Sequence, residues 1–326
     1  MRAVQYDRYG PPEVLSVHDV PTPQPAPGEV LVEVHAASVN GAETSFRAGR
    51  MRGIARGGFP RRTGGDFSGR VASVGAGVST WRSGDAVWGL MPHFAFGAIA
   101  DYVAVPEQKL AGAPENLSPV EAASLPSSGT TALTALTDKT HLAAGEHLLV
   151  RGAAGGVGSL TVQLGKALGA EVTALAGARN LDWVRELGAD TALDYRTTRP
   201  EDLGRFDVIV DVVGTDLGAY QALLTPRGRM VALAFDPDRV VGSLLGTALR
   251  AAVRPRQVKI FSNDPSAERI AELTRAVETG MIRPVVDTAF PMADIAEAHR
   301  RLEAGGVRGK YVIDMRRSSA ADAHRT

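Results

Sequence analysis

The pattern of hydrophobic and polar residues changes in character near residue 116. Before that point, short apolar runs are repeatedly broken by glycine and proline. These runs predict strands at 29–36, 69–74, 85–88 and 99–105. Because the strands are short and the turns between them frequent, this part of the chain is predicted to form a small, mostly β domain.

From residue 116 onward, apolar runs of strand length alternate with stretches of helical spacing. We predict helices at 119–123, 130–137 and 181–187, and strands at 147–151, 171–175, 191–194, 207–212 and 229–234. Amphipathic helices at 266–280 and 294–304 and a strand at 310–314 follow. Apolar strands that alternate with helices are typical of a doubly wound parallel sheet. The predicted fold class is therefore α/β, with a mostly β domain and a doubly wound parallel Rossmann domain.

A glycine-rich turn at 152–158 separates the strand at 147–151 from the helix that follows it. The turn matches the pattern A-x-G-x-x-G at Ala153, Gly155 and Gly158. Gly155 lets the backbone approach a pyrophosphate, and Gly158 lets the helix pack closely on the strand. The helix start would turn free N–H groups toward phosphate, so the predicted dinucleotide contacts also include Ala154, Gly156 and Val157. The alternative is a glycine-rich turn with no ligand.

The end of the second strand of this unit favours NADP(H) over NAD(H). An NAD site usually places Asp or Glu there to hold the adenosine ribose, but this strand runs into Gly177, Ala178, Arg179 and Asn180. Arg179 is suited to holding a 2′-phosphate through two charge-assisted hydrogen bonds. Arg179 and Asn180 are therefore predicted cofactor contacts, and a solvated arginine at a helix start is the alternative.

Two further strand ends are predicted to meet the cofactor. Ligands of doubly wound sheets bind outside the carboxyl edge, where several strands end together. The backbone groups of the residues that end these strands are predicted to hold the ribose and carboxamide: Val213, Gly214, Leu233, Ala234 and Phe235.

Composition sets limits on partners and chemistry. Formal net charge is zero and no apolar run reaches the length of a membrane span, so neither nucleic acid nor a membrane is a predicted partner. The N-terminal residues contain no apolar signal core, and the predicted location is the cytoplasm. The chain has no cysteine, and its seven histidines show neither HxxxH nor HxH spacing. No metal site is predicted.

Ten short motifs, in order along residues 1 to about 315, resemble the zinc-free, quinone-reductase branch of the medium-chain dehydrogenase/reductase superfamily. They include HAASVN at 35–40, GGDFSGRVASVGAGV at 64–78, RGAAGGVG at 151–158 and AEAHRRLEAGGVRGK at 296–310. The resemblance implies a GroES-like catalytic domain at 1–117 and 259–326 and an inserted cofactor domain at 118–258. It also implies a reaction cleft between the domains and a homodimer.

The resemblance also suggests site residues. Asn40 matches an asparagine that faces nicotinamide and substrate, and its amide would donate to a substrate oxygen; a turn-capping asparagine is the alternative. Glu43 would hold local structure or orient a donor. Thr131 would lie at a helix start beneath the nicotinamide, and Tyr195 near the adenosine phosphate. Asp66 replaces the histidine that zinc members carry in a Gly-His-Glu segment. No general acid is identified.

These expectations lead to three competing functions. The first is an NADPH-dependent reductase of quinones or activated alkenes acting on a small molecule. The second is a zinc-free carbonyl reductase or alcohol dehydrogenase, and the third is a non-catalytic NADPH-binding protein. An arginine-rich stretch would either attract an anionic substrate or form a solvated loop; it contains Arg47, Arg50, Arg52, Arg56, Arg61 and Arg62.

Overall fold

The computed structural model describes residues 1–52, 58–234, 246–249, 252–253 and 257–317. The chain divides into two compact units. Unit 1 comprises Met1–Ser127, Asp264–Gly280 and Pro284–Thr326, and unit 2 comprises Ser128–Asn263 and Met281–Arg283. The boundaries expected from the resemblance, after residues 117 and 258, lie within unit 1 and unit 2 respectively. Phe235 and Arg56 are outside the described residues.

Unit 1 is mostly β. Its larger sheet has the order β15-β16-β3-β5-β6-β8, with β7 also pairing with β3, and a smaller sheet has the order β2-β1-β4. The strands are β1 Arg2–Tyr6, β2 Ser16–Asp19, β3 Glu29–Ser38, β4 Arg61–Arg62, β5 Asp66–Val74, β6 Ala86–Leu90, β7 Tyr102–Pro106, β8 Leu110–Gly112, β15 Val286–Pro291 and β16 Lys310–Asp314.

Residues far apart in the chain build the core of unit 1. Val32, Phe67, Val105 and Ile313 belong to one buried apolar cluster. Both faces of β3 are largely buried, which explains why its sequence, EVLVEVHAAS, is apolar almost throughout rather than strictly alternating. β16 pairs antiparallel with β3, so a C-terminal segment completes a sheet begun near the N-terminus.

Unit 2 contains a parallel sheet of order β11-β10-β9-β12-β13-β14. Its first strand in the chain, β9, lies inside the sheet, and later strands are added on both sides, as in a doubly wound Rossmann fold. The strands are β9 His147–Arg151, β10 Glu171–Ala176, β11 Thr191–Asp194, β12 Phe206–Asp211, β13 Leu224–Ala232 and β14 Val258–Lys259. The α/β class expected from the sequence is confirmed.

The helices mostly follow the predicted spacing. They are α1 Gly41–Arg47, α2 Pro119–Ala123, α3 Pro126–Leu133, α4 Gly156–Ala167, α5 Leu181–Glu186, α6 Leu217–Gln221, α7 Ala267–Glu278 and α8 Ile295–Ala304. The helix predicted at 130–137 is wrong in its bounds. It begins at Pro126, whose fixed φ suits the first turn of a helix, and changes to π-helix from Thr134 to Lys139.

Two smaller findings concern the end of one strand and the length of the helices. β13 ends at Ala232, so Leu233 and Ala234 follow the strand instead of ending it as predicted. Within the part of the chain that the structure describes, no helix is long and apolar enough to cross a membrane.

Candidate functional sites

The parallel sheet of unit 2 brings the predicted cofactor contacts to one edge. The glycine turn follows β9, Arg179 follows β10, Tyr195 follows β11, and Val213 follows β12. Because these strands are parallel neighbours, their carboxyl ends meet at the same side of the sheet. Residues separated in sequence therefore line a common edge, where doubly wound folds bind ligands.

Close backbone packing explains two glycines of the turn. Gly152 has a φ of +77°, and a Cβ there would lie 2.6 Å from Val212 Cγ2. A Cβ on Gly158 would lie 2.1 Å from the Gly152 carbonyl oxygen. The tight turn therefore requires glycine at 152, directly after β9, a position that the A-x-G-x-x-G reading did not single out. Gly158 allows α4 to pack against the turn as predicted.

Gly155 differs from both, because the protein leaves space beside it. A Cβ at Gly155 would meet only the Gly152 carbonyl oxygen, at 3.6 Å, which is ordinary van der Waals contact. Nothing in the described chain therefore requires glycine at this partly exposed position. A ligand backed closely against the turn would require it.

The N-terminus of α4 offers backbone donors at the same place. Gly155 is the N-cap, and no side-chain hydrogen bond caps the helix there in the described structure. The first intrahelical bond runs from Ser159 N–H to Gly155 O. The N–H groups of Gly156, Val157 and Gly158 precede that bond, so they are suited to phosphate oxygens. Ala153 and Ala154 are buried beneath the turn, and Ala153 N–H donates to Leu175 O.

The ends of β10 and β11 carry exposed cationic and aromatic groups. Arg179 is exposed and Asn180 is buried. Tyr195 has 54% of its surface exposed, and its ring lies 3.6 Å from the position of a Cβ on Gly177. The Arg196 guanidinium lies 5.6 Å from the centre of that ring. Arg196 is a second cation at this edge that the sequence interpretation missed, although it directly follows the predicted tyrosine.

A buried ion pair joins the ends of β9 and β12. Arg151 ends β9 and Asp211 ends β12; the two are register partners and form a salt bridge. Asp211 is fully buried, and Arg151 also stacks on Tyr220 with its guanidinium carbon 3.5 Å from the ring centre.

Asp211 accepts hydrogen bonds from three backbone N–H groups near this edge. Its Oδ1 accepts from Val213 N–H at 2.9 Å and Gly214 N–H at 2.7 Å, and its carbonyl accepts from Leu233 N–H at 2.8 Å. The buried carboxylate is satisfied by the first two donors, so these three N–H groups are engaged within the protein. Their carbonyl oxygens and that of Ala234 stay the predicted contacts.

Thr131 does not lie at a helix start. It is the sixth residue of α3, which begins at Pro126, and it is buried with 8% exposure. Its neighbour Thr130 accepts a hydrogen bond from Asn263 Nδ2 at 2.8 Å, within unit 2. The predicted position was wrong because the helix start was read four residues late.

A second cluster of polar groups, in unit 1, surrounds Asn40. This residue follows β3, precedes α1 and is partly exposed. Its Nδ2 donates to Glu43 Oε1 at 2.8 Å and to Asp66 Oδ1 at 2.9 Å, and Ser38 Oγ lies 3.3 Å away. Two carboxylates thus use both amide N–H bonds. In this arrangement the amide has no further N–H bond for a substrate oxygen, and the role of Asn40 toward substrate stays a prediction.

Glu43 is enclosed by donors. Its carboxylate accepts from Asn40, from Thr63 Oγ1 at 2.9 Å, and from the N–H groups of Gly64 and Gly65 at 3.1 Å each. Burial raises the pKa of the Glu43 carboxyl to about 7, and the nearby Asp66 carboxylate adds to this rise. The hydrogen bonds from Asn40 and Thr63 oppose it. Glu43 holds the start of α1 to the segment before β5 and orients the Asn40 amide.

Asp66 and Lys310 complete this group, which we call the Asn40 cluster: Ser38, Asn40, Glu43, Thr63, Asp66 and Lys310. Asp66 is fully buried and also accepts from Ser38 Oγ and Ser127 N–H. The Lys310 ammonium donates to Asn40 Oδ1. Sequence reasoning missed Lys310, which ends the last matching motif, because nothing local reveals a partner 270 residues away.

Aromatic side chains lie beside the Asn40 cluster. A Cβ on Gly65 would lie 3.7 Å from Asn40 Nδ2 and 3.9 Å from Phe96 Cε1. Phe46, one turn along α1 from Glu43, packs against Phe96 and Phe94 at centroid distances of 5.1 and 5.9 Å. Phe94 is 48% exposed. The cluster therefore has an apolar, aromatic neighbour suited to a planar molecule.

The arginine-rich stretch is not a uniformly solvated loop. Arg47 is buried, donates to Gly10 O at 2.6 Å and pairs with Glu303, so it serves structure inside unit 1 and fits neither alternative given for the stretch. The guanidinium of Arg52 lies 4.6 Å from the ring centre of Tyr9. Arg61 stacks over Phe59 at 5.4 Å.

The side chains that commonly bind metals do not cluster in the part of the chain that the structure describes. No set of three or more His, Cys, Asp or Glu residues there has the geometry to hold a metal ion. Asp66 and Glu43 are two such groups, but the ammonium of Lys310 accompanies them.

Family profiles match both parts of the chain. A profile described as the alcohol dehydrogenase GroES-like domain matches residues 26–115. A second, described as zinc-binding dehydrogenase, matches residues 187–313.

Relatives match nearly the whole of this chain. The chloroplast envelope quinone oxidoreductase homolog of Arabidopsis thaliana is 30% identical, covering 96% of this chain and 98% of the relative. The NADPH-dependent alkenal/one oxidoreductase of Arabidopsis thaliana, chloroplastic, is 33% identical over 96% of this chain and 79% of the relative. The solved structure of the quinone oxidoreductase from Coxiella burnetii is 31% identical, with a TM-score of 0.86, and covers 97% of this chain and 99% of that one.

Proposed function

Because the chain belongs to the medium-chain dehydrogenase/reductase superfamily, in its quinone-oxidoreductase branch, we propose that it reduces quinones or activated alkenes with NADPH and without zinc. When bound, NADPH supplies the hydride. The names of the relatives support both acceptor classes, since one is a quinone oxidoreductase homolog and another an alkenal/one oxidoreductase.

The observation that carries the proposal is the glycine turn at the start of α4. Its partly exposed Gly155 has no internal reason to be glycine, and uncapped N–H groups follow at once. A pyrophosphate fits both properties, since it needs close backbone approach and backbone donors. The residues that would hold it are Ala154, Gly155, Gly156, Val157 and Gly158.

A preference for NADPH over NADH rests on the edge formed by β10 and β11. No acid follows β10 directly, and Arg179 is exposed there. Arg196, exposed beside Tyr195, adds positive charge to the same edge. A 2′-phosphate would gain charge-assisted hydrogen bonds from these guanidinium groups, whereas a ribose hydroxyl would not.

The remaining parts of the proposal concern partners and location. The substrate is a small molecule, and an anionic one would meet the cations Arg52, Arg61 and Arg62 in unit 1. A homodimer and a cytoplasmic location are proposed from the sequence, although the relatives named above include chloroplastic proteins.

The test compares NADPH with NADH in the wild type and in Arg179→Ala, using 1,4-benzoquinone and 3-buten-2-one as acceptors. We expect turnover with NADPH and a rise of about tenfold in the KM for NADPH in the variant, with little change for NADH, because one charged hydrogen-bonding partner is removed. Arg205→Ala is the matched control: this exposed arginine precedes β12, at the opposite edge of the sheet.

Either of two results contradicts the proposal. Equal use of NADH by the wild type would remove the NADPH preference. Tight NADPH binding without turnover on either acceptor would favour a carbonyl reductase or a non-catalytic binding protein.

A further inference from the structure

Reduction of an enone or quinone needs a group that receives the negative charge formed on oxygen. This further inference rests on the function proposed above. The Asn40 amide is not that group in the observed arrangement, because Glu43 and Asp66 accept both of its N–H bonds. Another donor must therefore lie beside Asn40 if the cluster takes part in the reaction.

Strand pairing brings Lys310 to this position. β16 begins at Lys310 and runs antiparallel to β3, with Val312 opposite Ser38. Continuing this register by two residues places Lys310 opposite Asn40. The lysine is 7% exposed, so the sheet holds its ammonium in the cluster rather than in bulk water.

The Lys310 ammonium has one more N–H bond than it has acceptors among the described residues. It donates to Asn40 Oδ1 and approaches Val39 O at 3.5 Å. An ammonium has three N–H bonds, and within the described residues these contacts account for two of them. The third is available to a molecule that contacts the partly exposed Asn40 side chain.

Charge in the cluster explains why the ammonium stays there. Asp66 is fully buried and Glu43 is 2% exposed, and both carboxylates lie around the Asn40 amide. Asn40 thus stands between one cation and two acids. The acids hold its Nδ2, which leaves its Oδ1 directed at Lys310 and fixes the ammonium beside the exposed part of the amide.

We propose that Lys310 is a catalytic residue that donates to the substrate oxygen during reduction. Hydride from NADPH adds to the β-carbon of an enone, and the π electrons move to the carbonyl oxygen to give an enolate. The Lys310 N–H donates to this oxygen and transfers its proton to give the enol, and the resulting amine regains a proton from solvent. The enol then tautomerises to the saturated ketone, taking a proton from water at the α-carbon as its O–H proton returns to water. In a quinone, the same proton neutralises the phenolate oxygen.

The structural alternative is that Lys310 only balances the buried carboxylates. Removing a buried cation leaves uncompensated charge and lowers stability, so loss of activity in Lys310→Met alone would not separate the two roles. The test must change the ammonium while keeping the stem in place.

The absence of cysteine provides this test. Lys310→Cys introduces the single thiol of the full chain, which can be alkylated in urea and the protein refolded. Treatment with 2-bromoethylamine restores an ammonium on a stem of lysine length, whereas 1-bromopropane gives a neutral stem of the same length. Lys310→Arg serves as a second variant that retains a cation if the alkylated proteins refold poorly.

We expect the aminoethylated protein to reduce 3-buten-2-one about 100-fold faster in kcat than the propylated protein, with similar Kd values for NADPH. Equal kcat values for the two alkylated proteins would overturn the proposal. So would equal activity of wild type and Lys310→Met. If refolding fails, Lys310→Arg, which keeps hydrogen-bond donors but cannot transfer a proton, must still lower the pKa of bound 4-nitrophenol relative to Lys310→Met, or the proposal is wrong.

A binding measurement without turnover separates this inference from the proposed function. The probe is 4-nitrophenol, whose phenolate absorbs visibly and resembles the oxyanion. Wild type and the aminoethylated protein should lower the pKa of the bound phenol by about one unit relative to the propylated protein. If this shift is found but no acceptor is reduced, the proposed function fails and the donor role stands. If the wild type does not favour the phenolate, the donor role fails.

Discussion

His299 is a polar residue buried without hydrogen-bond partners for its imidazole ring. It lies on α8, is fully buried, and neither ring nitrogen has a hydrogen-bond partner in the described residues. Burial lowers the pKa of its imidazole to about 3, and the charge of Arg47 acts in the same direction. The imidazole is therefore neutral in the folded protein and protonates on unfolding below its ordinary pKa of 6.5.

The direction of the effect on stability follows from the lowered pKa. The contribution of neutral His299 is present above pH 6.5 and is lost as the pH falls toward 3, because the unfolded state binds the extra proton. Between about pH 7.5 and 5.5, the wild type should lose about 1.4 kcal/mol more free energy of unfolding than His299→Phe. Urea unfolding followed by tryptophan fluorescence measures this difference.

A second histidine in the same unit serves as the control. His18 on β2 is partly exposed, so His18→Gln controls for the loss of a histidine outside the core. Parallel pH curves for the wild type and His299→Phe would show that His299 protonates in the folded state, contrary to its burial.

At the scale of elements, the turn between β9 and α4 contains two glycines with different roles. Gly158 is required by close packing inside the protein, whereas Gly155 has space beside it. Gly158→Ala should lower the free energy of unfolding by about 1–3 kcal/mol, because the new methyl carbon would lie 2.1 Å from Gly152 O. Gly155→Ala should leave stability nearly unchanged, since its methyl carbon would contact the protein only at 3.6 Å.

Gly155→Ala is also expected to weaken cofactor binding, although it leaves stability nearly unchanged. Gly155→Ala should raise the Kd for NADPH about tenfold or more by occupying space that the pyrophosphate needs. Thermal unfolding and titration of NADPH fluorescence check both effects. Unchanged affinity in a stable Gly155→Ala protein would show that no ligand backs against this turn.

Elements were predictable from sequence where their signals are local. The apolar run of β9, the glycines after it and the helical spacing of α4 stand next to one another, so their order was clear. The start of α3 was misread because Pro126 begins the helix before its apolar periodicity becomes visible. Bounds of this kind depend on a single backbone angle rather than on a repeated pattern.

Contacts between distant segments could not be predicted in this way. The glycine turn and Arg179 follow adjacent strands, and knowledge of sheet topology was enough to place them at one edge. Lys310, Asp66 and Asn40 meet only after β16 and β5 have paired with β3. The hydrogen bonds from Val213 and Gly214 N–H to the buried Asp211 carboxylate could not be predicted either, because Asp211 resembles an ordinary polar residue in the sequence.

For the whole molecule, charge balance predicts solubility. The numbers of acidic and basic side chains are equal and the isoelectric point is about 7.1. Repulsion between copies is weakest at that pH, so solubility should pass through a minimum near pH 7 and rise toward pH 8.5. Light scattering of one concentration across this range checks the prediction, and a steady decrease in solubility above pH 7 would contradict it.

The pairing of β3 with β16 has a consequence for biosynthesis. As the ribosome makes the chain from its N-terminus, the strands of the Rossmann sheet through β14 emerge before Lys310, while β3 still lacks one of its neighbours. Unit 2 therefore has all of its sequence available while the Asn40 cluster is still incomplete. A nonsense mutation just before codon 310 would leave a nascent product with the glycine turn but without the ammonium. Such a product would lack the group that we assign to protonation.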